Sequence, residues 1–552
     1  MSKPMSSRTL EQVPLGDIDE HAEQVMVPMR DGVRLATDVY LEPGGERRPA
    51  VLVRLPYDKS ARFSFMISVA PRFLERGYAF VAQDVRGKAR SEGETFAFVS
   101  EVADGADTLD WIVEQPWSNG AVAMFGDSYY GFTQWAAAAS GHPALRAIVP
   151  RVTTTEIGTD WMYHQGVFCL YTMAEWAATT WIDAPLYEGP PDFSVRPLAD
   201  VVPAVQGGRG SASFDRWRST QAADAFWTAE IFGTADPLAR VSIPVLHCGG
   251  WWDVFQRGQL RDHARLVTRG TGDQHLVMGS TDHFDDELAD DGTTVEDILV
   301  SEEALERFLP AYVGPALAFL DRYVLGREER IDPVRWHLAN AGWRKSATWP
   351  PADARSVTLF AGGAGALTGG PEGGVLDERA GGRGAIAWDH DPANLVPDLV
   401  EDAWRPLLGL PDERTVEQRR DVATFTGAEA ARPLDLAGPV TVRGTTGERH
   451  APGALVAKLV DVFPNGRARR ILQGASATEP GAAFSIDLGS TGYRLLPSHR
   501  LRLEVAASDF PRYLPDAGPG LDPWAVGEGA PAPREVRLGD DGLRLVVTEL
   551  PS

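Results

Sequence analysis

Ala121-Val-Ala-Met-Phe-Gly126-Asp127-Ser128-Tyr129-Tyr130-Gly131 is the stretch on which the fold turns. An apolar run with no polar break reads as a buried strand. It ends at a Gly-x-Ser turn, and the alanine-rich segment 132–140 after it reads as a helix. Strand, tight turn and helix with a serine at the turn are the makings of a nucleophile elbow, in which the serine Oγ is held out from the chain and the amide of the next residue, Tyr129, faces a developing oxyanion. Gly126 is expected because a side chain there would meet the neighbouring strand. The second glycine falls at Gly131, giving Gly-x-Ser-x-x-Gly where the general motif has one residue fewer.

Outward from the elbow, short apolar runs at 50–55, 78–83, 145–149, 243–247 and 274–278 alternate with helical patterns such as 106–115, where Leu109, Ile112 and Val113 share a face. That alternation predicts an α/β fold with a parallel sheet covered on both faces. It breaks over 151–240, rich in Trp, Ala and Asp, which reads as an inserted helical cap. Residues 1–150 and 241–330 then form the α/β domain, closed by an amphipathic helix from Ser301 towards Leu325. From 331 to 552, apolar runs at 357–360, 440–442, 454–460, 501–505 and 543–547 are separated by Gly, Pro and Asp turns, the spacing of a β-sandwich. The Gly-rich segment 362–374 lacks a Gly-Lys-Ser/Thr ending and reads as a connection, not a phosphate loop.

The 552 residues carry 53 Lys plus Arg against 77 Asp plus Glu, a formal charge of -24. The negative field disfavours nucleic acid and anionic membranes as partners. Two cysteines, Cys169 and Cys248, are too few for a disulfide framework. Residues 1–20 have acids and prolines where a secretory signal would have an apolar core, so a cytoplasmic protein is expected, with a small-molecule substrate and with a homodimer left open.

A nucleophilic serine needs a base and an acid to orient it, and in this architecture they come in the order Ser, Asp or Glu, His, each at a strand end. The run Ile243-Pro-Val-Leu-His-Cys-Gly-Gly-Trp251-Trp252-Asp253 is a strand released by glycines into a loop with Asp253, and Gln274-His-Leu-Val-Met-Gly279-Ser-Thr-Asp-His283 is a strand followed by a loop with His283. Asp253 also reads as a cap for a helix beginning near Phe255, and His283 as part of a solvated acidic loop. His247 and His275 fall inside strands and read as core residues, and His142 lies at a helix end. As an ordered set, Ser128, Asp253 and His283 outrank any member alone.

Several blocks together resemble the serine hydrolases related to cocaine esterase, the CocE/NonD family, whose relatives include glutaryl acylases, α-amino acid ester hydrolases and Xaa-Pro dipeptidyl peptidases. They are Val27-Pro-Met-Arg-Asp-Gly-Val-Arg-Leu35, Val53-Arg-Leu-Pro-Tyr57-Asp-Lys59, Gln83-Asp-Val-Arg-Gly87 with Ser91-Glu-Gly93, Gly126 to Gly131, Gly249 to Asp253, and Pro333 to Trp336 followed by Trp343-Arg and Trp349-Pro. The family's Gly-x-Ser-Tyr-x-Gly accounts for the position of the second glycine. The resemblance implies an α/β-hydrolase domain with an inserted cap and a C-terminal jelly roll. It implies Ser128 as nucleophile, His283 as base and then acid, and Asp253 as its orienter, with the Tyr129 N–H and the Tyr57 phenol as oxyanion hole. No metal or cofactor is implied. One departure is Thr281-Asp282-His283 where the family has Trp-Ser-His or a close variant, which places an extra carboxylate beside the base.

In the amino-acid ester hydrolases acidic residues just after the triad aspartate help hold the substrate ammonium. Here Val254-Phe255-Gln256 stands instead, while Phe255 and the cap residues Trp161 and Trp176 resemble an aromatic acyl pocket. The reading is therefore an esterase for small, uncharged acyl groups working through an acyl-enzyme. An acylase or Xaa-Pro dipeptidyl peptidase acting on amides is the alternative. A binding protein with a relict hydrolase domain, or a metal-dependent lyase using carboxylates 282–291, ranks lower.

Overall fold

The computed structural model describes residues 14–181, 191–205, 208–288, 301–363, 367, 373–525 and 529–551. Its first body is built on a ten-stranded sheet. The strands are β1 (Glu23–Pro28), β2 (Arg34–Tyr40), β3 (Arg48–Leu55), β4 (Ala79–Asp84), β5 (Ser118–Asp127), β6 (Leu145–Arg151), β7 (Val245–Gly250), β8 (Gln274–Gly279), β9 (Val334–Leu338) and β10 (Gly342–Ser346). Their spatial order is β1-β2-β4-β3-β5-β6-β7-β8-β9-β10. The centre from β4 to β9 is parallel, while β1, β2 and β10 pair antiparallel at the two ends. The expectation of a parallel sheet thus holds in the interior only, because a hairpin closes each edge. β3 and β4 read as apolar over 50–53 and 78–82 for the physical reason that helices cover both faces, and residues such as Val51, Leu52, Val53 and Val81 are fully buried.

Helices α1 (Met66–Leu74), α2 (Glu101–Glu114), α3 (Ser128–Ser140), α5 (Gln256–Arg269) and α6 (Glu302–Tyr323) pack on this sheet. α3 starts at Ser128 itself, several residues before the alanine-rich run in which the sequence pattern first shows. The insertion between β6 and β7 carries α4 (Leu170–Thr179), shorter helices and a small antiparallel pair, Tyr163–His164 with Val167–Phe168.

A composition boundary at 331 misplaces the first two strands beyond it. β9 joins β8 through Leu276, Val277 and Met278, so the first sheet continues to Ser346. Edge strands carry fewer buried residues than central ones, and the turn-rich sequence of β9 and β10 resembles that of the C-terminal strands. Past Ser346 lies a β-rich domain with a nine-stranded sheet and a two-stranded one. The bodies are joined at the backbone: Ala339 N–H donates to Gly492 and Arg494 N–H to Ala339. The expected connection at 362–374, and the end of the carboxylate run 282–291, lie largely or partly outside the described residues. No described helix is long and apolar enough to cross a membrane.

Candidate active site

β5 delivers Ser128 to the C-terminal edge of the sheet, and α3 begins on it. Ser128 has φ +52°, a left-handed conformation that costs a non-glycine residue energy and is retained where surrounding structure imposes it. The two glycines have separate reasons. At Gly126, with φ +144°, an added Cβ would lie 2.2 Å from the Tyr130 ring, whereas at Gly131 it would lie 2.6 Å from Thr153 and 2.9 Å from the Arg151 carbonyl. The neighbouring strand's end therefore crowds Gly131, and Gly126 instead makes room for an aromatic ring of its own turn.

His283 Nε2 lies 3.0 Å from Ser128 Oγ, and its Nδ1 lies 2.8 Å from Asp253 Oδ1. The Asp253 side chain is fully buried and that of His283 nearly so. α5 starts at Gln256 with Phe255 as its cap, and Asp253 supplies that turn only with its backbone carbonyl, leaving the carboxylate for the imidazole. The other histidines have different employment. His247 meets Gln274, His275 lies between the Asp332 carbonyl and the Tyr323 hydroxyl, and His142 pairs with Asp110.

The carboxyl of Asp282 turns away from the imidazole. It accepts backbone N–H bonds from Phe284, Asp286 and Leu407 and so pins the loop. Asp285 and Asp286 reach two different arginines, Arg151 and Arg405. These carboxylates diverge into loop fastening and do not converge on a common point.

Tyr57 stands at the mouth of the elbow with its ring edge-on to Tyr130. Its oxygen accepts a hydrogen bond from Trp176 Nε1 at 3.1 Å. Burial raises the phenol well above its ordinary range, opposed by its bonds to Trp176 and Ser128, so it remains a donor at neutral pH. The segment is fastened from below: Lys59 donates through its backbone and its ammonium to Asp84 at 2.9 and 3.0 Å, and Arg90 reaches Asp58 at 3.1 Å. The blocks 57–59 and 83–87, far apart in sequence, are therefore two halves of one support. The Tyr129 amide lies in the first turn of α3, where helical geometry leaves N–H groups without an intrahelical partner. Its phenol is buried beneath, accepting from Phe98 N–H and donating to Glu101, both at 2.8 Å.

An aromatic wall lines the approach. Phe255 lies 5.3 Å from the His283 ring and 4.6 Å from Trp161, and Trp161 lies 4.8 Å from Trp176. The structure thus brings Phe255, Trp161 and Trp176 together, with Trp176 also serving Tyr57. Gln256, expected beside the acyl group, faces the opposite way. Its Nε2 donates to the Ser490 carbonyl and its Oε1 accepts the Ser490 N–H at 2.8 Å. Trp404 and Glu175 are among the residues that escaped the sequence reading. Trp404, in an irregular segment of the β-rich domain, lies 4.9 Å from the His283 ring. Its indole N–H donates to Glu175 at 2.9 Å, and burial foremost, with the nearby Asp402, pushes the Glu175 carboxyl up to about 8.

The chain is similar to known proteins along most of its length. Residues 31–285 match the X-Pro dipeptidyl-peptidase (S15 family), and residues 327–527 match the X-Pro dipeptidyl-peptidase C-terminal non-catalytic domain, from whose span Trp404 comes. Cocaine esterase of Rhodococcus sp. (strain MB1 Bresler) is 31% identical over 548 residues, covering 89% of this chain and 91% of its own. A solved α-amino acid ester hydrolase is 25% identical, with a TM-score of 0.77 over 99% of this chain and 100% of its own. An aminopeptidase from the marine sediment archaeon Thaumarchaeota archaeon shares the fold at 23% identity, with a TM-score of 0.76 over 100% and 98% of the two chains. By its sequence along most of its length, the chain belongs to the cocaine esterase (CocE/NonD) group of serine hydrolases.

Proposed function

We propose that the protein is a carboxylic-ester hydrolase for small, uncharged acyl groups, acting through an acyl-enzyme. Ser128 is the nucleophile, His283 the general base, and Asp253 the group that orients and stabilises the imidazolium. The observation that carries the reading is the continuous relay from Asp253 Oδ1 through His283 to Ser128 Oγ, at 2.8 and 3.0 Å.

In acylation His283 Nε2 takes the Ser128 proton as Oγ attacks the carbonyl carbon. The carbonyl oxygen becomes an oxyanion between the Tyr57 O–H and the Tyr129 N–H, and His283 then returns the proton to the departing alkoxide. In deacylation water replaces the serine hydroxyl, His283 takes its proton, and the acid is released as Oγ is reprotonated. Trp176 occupies an acceptor site on the Tyr57 oxygen, which directs the phenolic proton to the substrate. Phe255, Trp161 and Trp176 offer the acyl group apolar surface.

Reaction with a fluorophosphonate probe tests the assignment. The wild type should be labelled and Ser128→Ala should not, because Tyr129 and Tyr130 are buried phenols held well above their ordinary range and are poor nucleophiles. Full labelling of the variant sinks the reading. The S15 match favours a second one, hydrolysis of amides by an acylase or dipeptidyl peptidase, and turnover of Xaa-Pro anilides exceeding that of esters would select it. The proposal extends to a jelly-roll arrangement of the C-terminal strands and to a cytoplasmic enzyme, consistent with two buried, unpaired cysteines. A homodimer is an open part of it that sedimentation decides.

A further inference from the structure

Asp127 directly precedes Ser128, and Asp285 comes two residues after His283, so each carboxylate is rigidly tied to one partner of the relay. Between them lies the guanidinium of Arg151, the last residue of β6. Its Nε donates to Asp127 Oδ1 at 2.8 Å and its Nη2 to Asp285 Oδ2 at 2.7 Å. Arg151 is 7% exposed, and its guanidinium lies over the Tyr312 ring of α6, 4.5 Å from the centroid. Asp285 has φ +61°, in the left-handed region that few residues other than glycine, asparagine and aspartate adopt.

We infer that Arg151 is a positioning residue that locks the Ser128 elbow and the His283 loop into one register, with its planar fork as the link between two carboxylates on separate loops. This rests on the roles proposed for Ser128 and His283. A guanidinium suits the task because its donors diverge in fixed directions, whereas a lysine ammonium offers one point charge on a flexible stem. The elbow is defined by β5 and α3, but the 281–287 loop has no helix or strand of its own, so its distance to Ser128 has to be set by contacts such as this one. Burial foremost pushes the Asp127 carboxyl up to about 6, and the Arg151 charge opposes that by favouring the ionised form with which it pairs.

The test uses the full-length enzyme, measuring kcat and KM for 4-nitrophenyl butyrate and the second-order rate of fluorophosphonate labelling. Arg151→Met should lower kcat and the labelling rate by about 10², the scale for about 1 Å of misplacement between reacting groups, with KM within about threefold. Arg151→Lys should recover part of that loss. Asp285→Asn should slow the wild type but cause little further loss in Arg151→Met, since the link is already cut. Wild-type labelling of Arg151→Met, or an equal cost of Asp285→Asn in both backgrounds, overturns the inference. If Arg151→Met does not fold, Asp127→Asn and Asp285→Asn take its place, and wild-type kcat in both is the refuting result. Labelling of Ser128→Ala would instead strike at the triad itself, so the two failures are distinguishable.

Discussion

Replacing Tyr57 by phenylalanine removes a single oxygen from the site. Tyr57 is 8% exposed, and its oxygen accepts from Trp176 Nε1 at 3.1 Å, which leaves the phenol's own proton for the substrate. Loss of one oxyanion donor lowers kcat by about 10² to 10³, or about 2.7–4 kcal/mol. KM should stay within about threefold, because the bond gains most of its strength as charge develops on the carbonyl oxygen. Trp176→Phe keeps the phenol but loses the neutral bond that aims it, worth about 1 kcal/mol, hence about fivefold in kcat. Since the part of Trp176's effect on the acylation rate that runs through Tyr57 is lost with the phenol, while its apolar contact with the acyl group is largely kept by phenylalanine, the double variant should acylate no more than about twofold slower than Tyr57→Phe. Stopped-flow release of 4-nitrophenol gives the acylation rate directly and separates it from deacylation. An unchanged acylation rate in Tyr57→Phe refutes the oxyanion role. An equal cost of Trp176→Phe in both backgrounds refutes the claim that the indole works through the phenol.

Glu175, pushed up to about 8 by burial first and Asp402 second, has a folded-state pKa above its unfolded value of about 4.3. Its contribution to stability is full below about pH 4.3 and is lost as pH rises through about 8. Relative to Glu175→Gln, the wild type should therefore lose melting temperature between about pH 4.3 and about 8 and run parallel above that, and curves parallel throughout would contradict this. Asp286→Asn breaks a buried bidentate pair with Arg405, at 2.7 and 3.0 Å. It should destabilise by about 3–5 kcal/mol and slow phosphonate labelling, and an unchanged denaturation midpoint would count against it. Phenyl butyrate should exceed the phenylglycine phenyl ester in kcat/KM by at least about tenfold, or about 1.4 kcal/mol, because burying an unpaired ammonium is costly. A reversed preference that Glu175→Gln abolishes would make that carboxylate the ammonium receptor.

The parts of the site that were legible share one property: their local pattern and their role coincide. Ser128 follows a strand and precedes a helix, and Asp253 and His283 follow strands that end in glycine, so chain order alone aligns them at one sheet edge. Tyr57 became legible only through resemblance, since a tyrosine at a strand end has many structural uses. Trp404, Glu175, Arg405 and Arg151 act through contacts across long sequence separations. Trp404 meets Glu175 over 229 residues, and nothing in either neighbourhood announces the other. Hidden strands have a similar cause. Ala468–Thr478 contains Arg469 and Arg470, whose charges interrupt its apolar pattern, yet each is 4% exposed because Asp461, Asp398 and Glu413 receive their charges. A buried ion pair erases the apolar alternation by which strands are recognised.

The elbow and the two loops that complete it differ in what holds them. Ser128 is placed by β5 and α3, elements of the α/β body alone, and its backbone strain is maintained by the packing of Tyr130, Gly131 and the end of β6. The acid and base loops are placed largely from outside. Gln256 is paired to the Ser490 backbone, Asp282 receives Leu407 N–H, Asp286 holds Arg405, and Trp404 lies against the His283 ring. Catalytic geometry tolerates little error, and side chains on loops reach it only when their supports are rigid. On the roles proposed for Asp253 and His283, the β-rich domain is then the surface on which base and acid are registered. With Arg151 linking that register to Ser128 as inferred, a substitution at 404–407 is expected to reach kcat through the position of His283 without touching the substrate's reacting carbon.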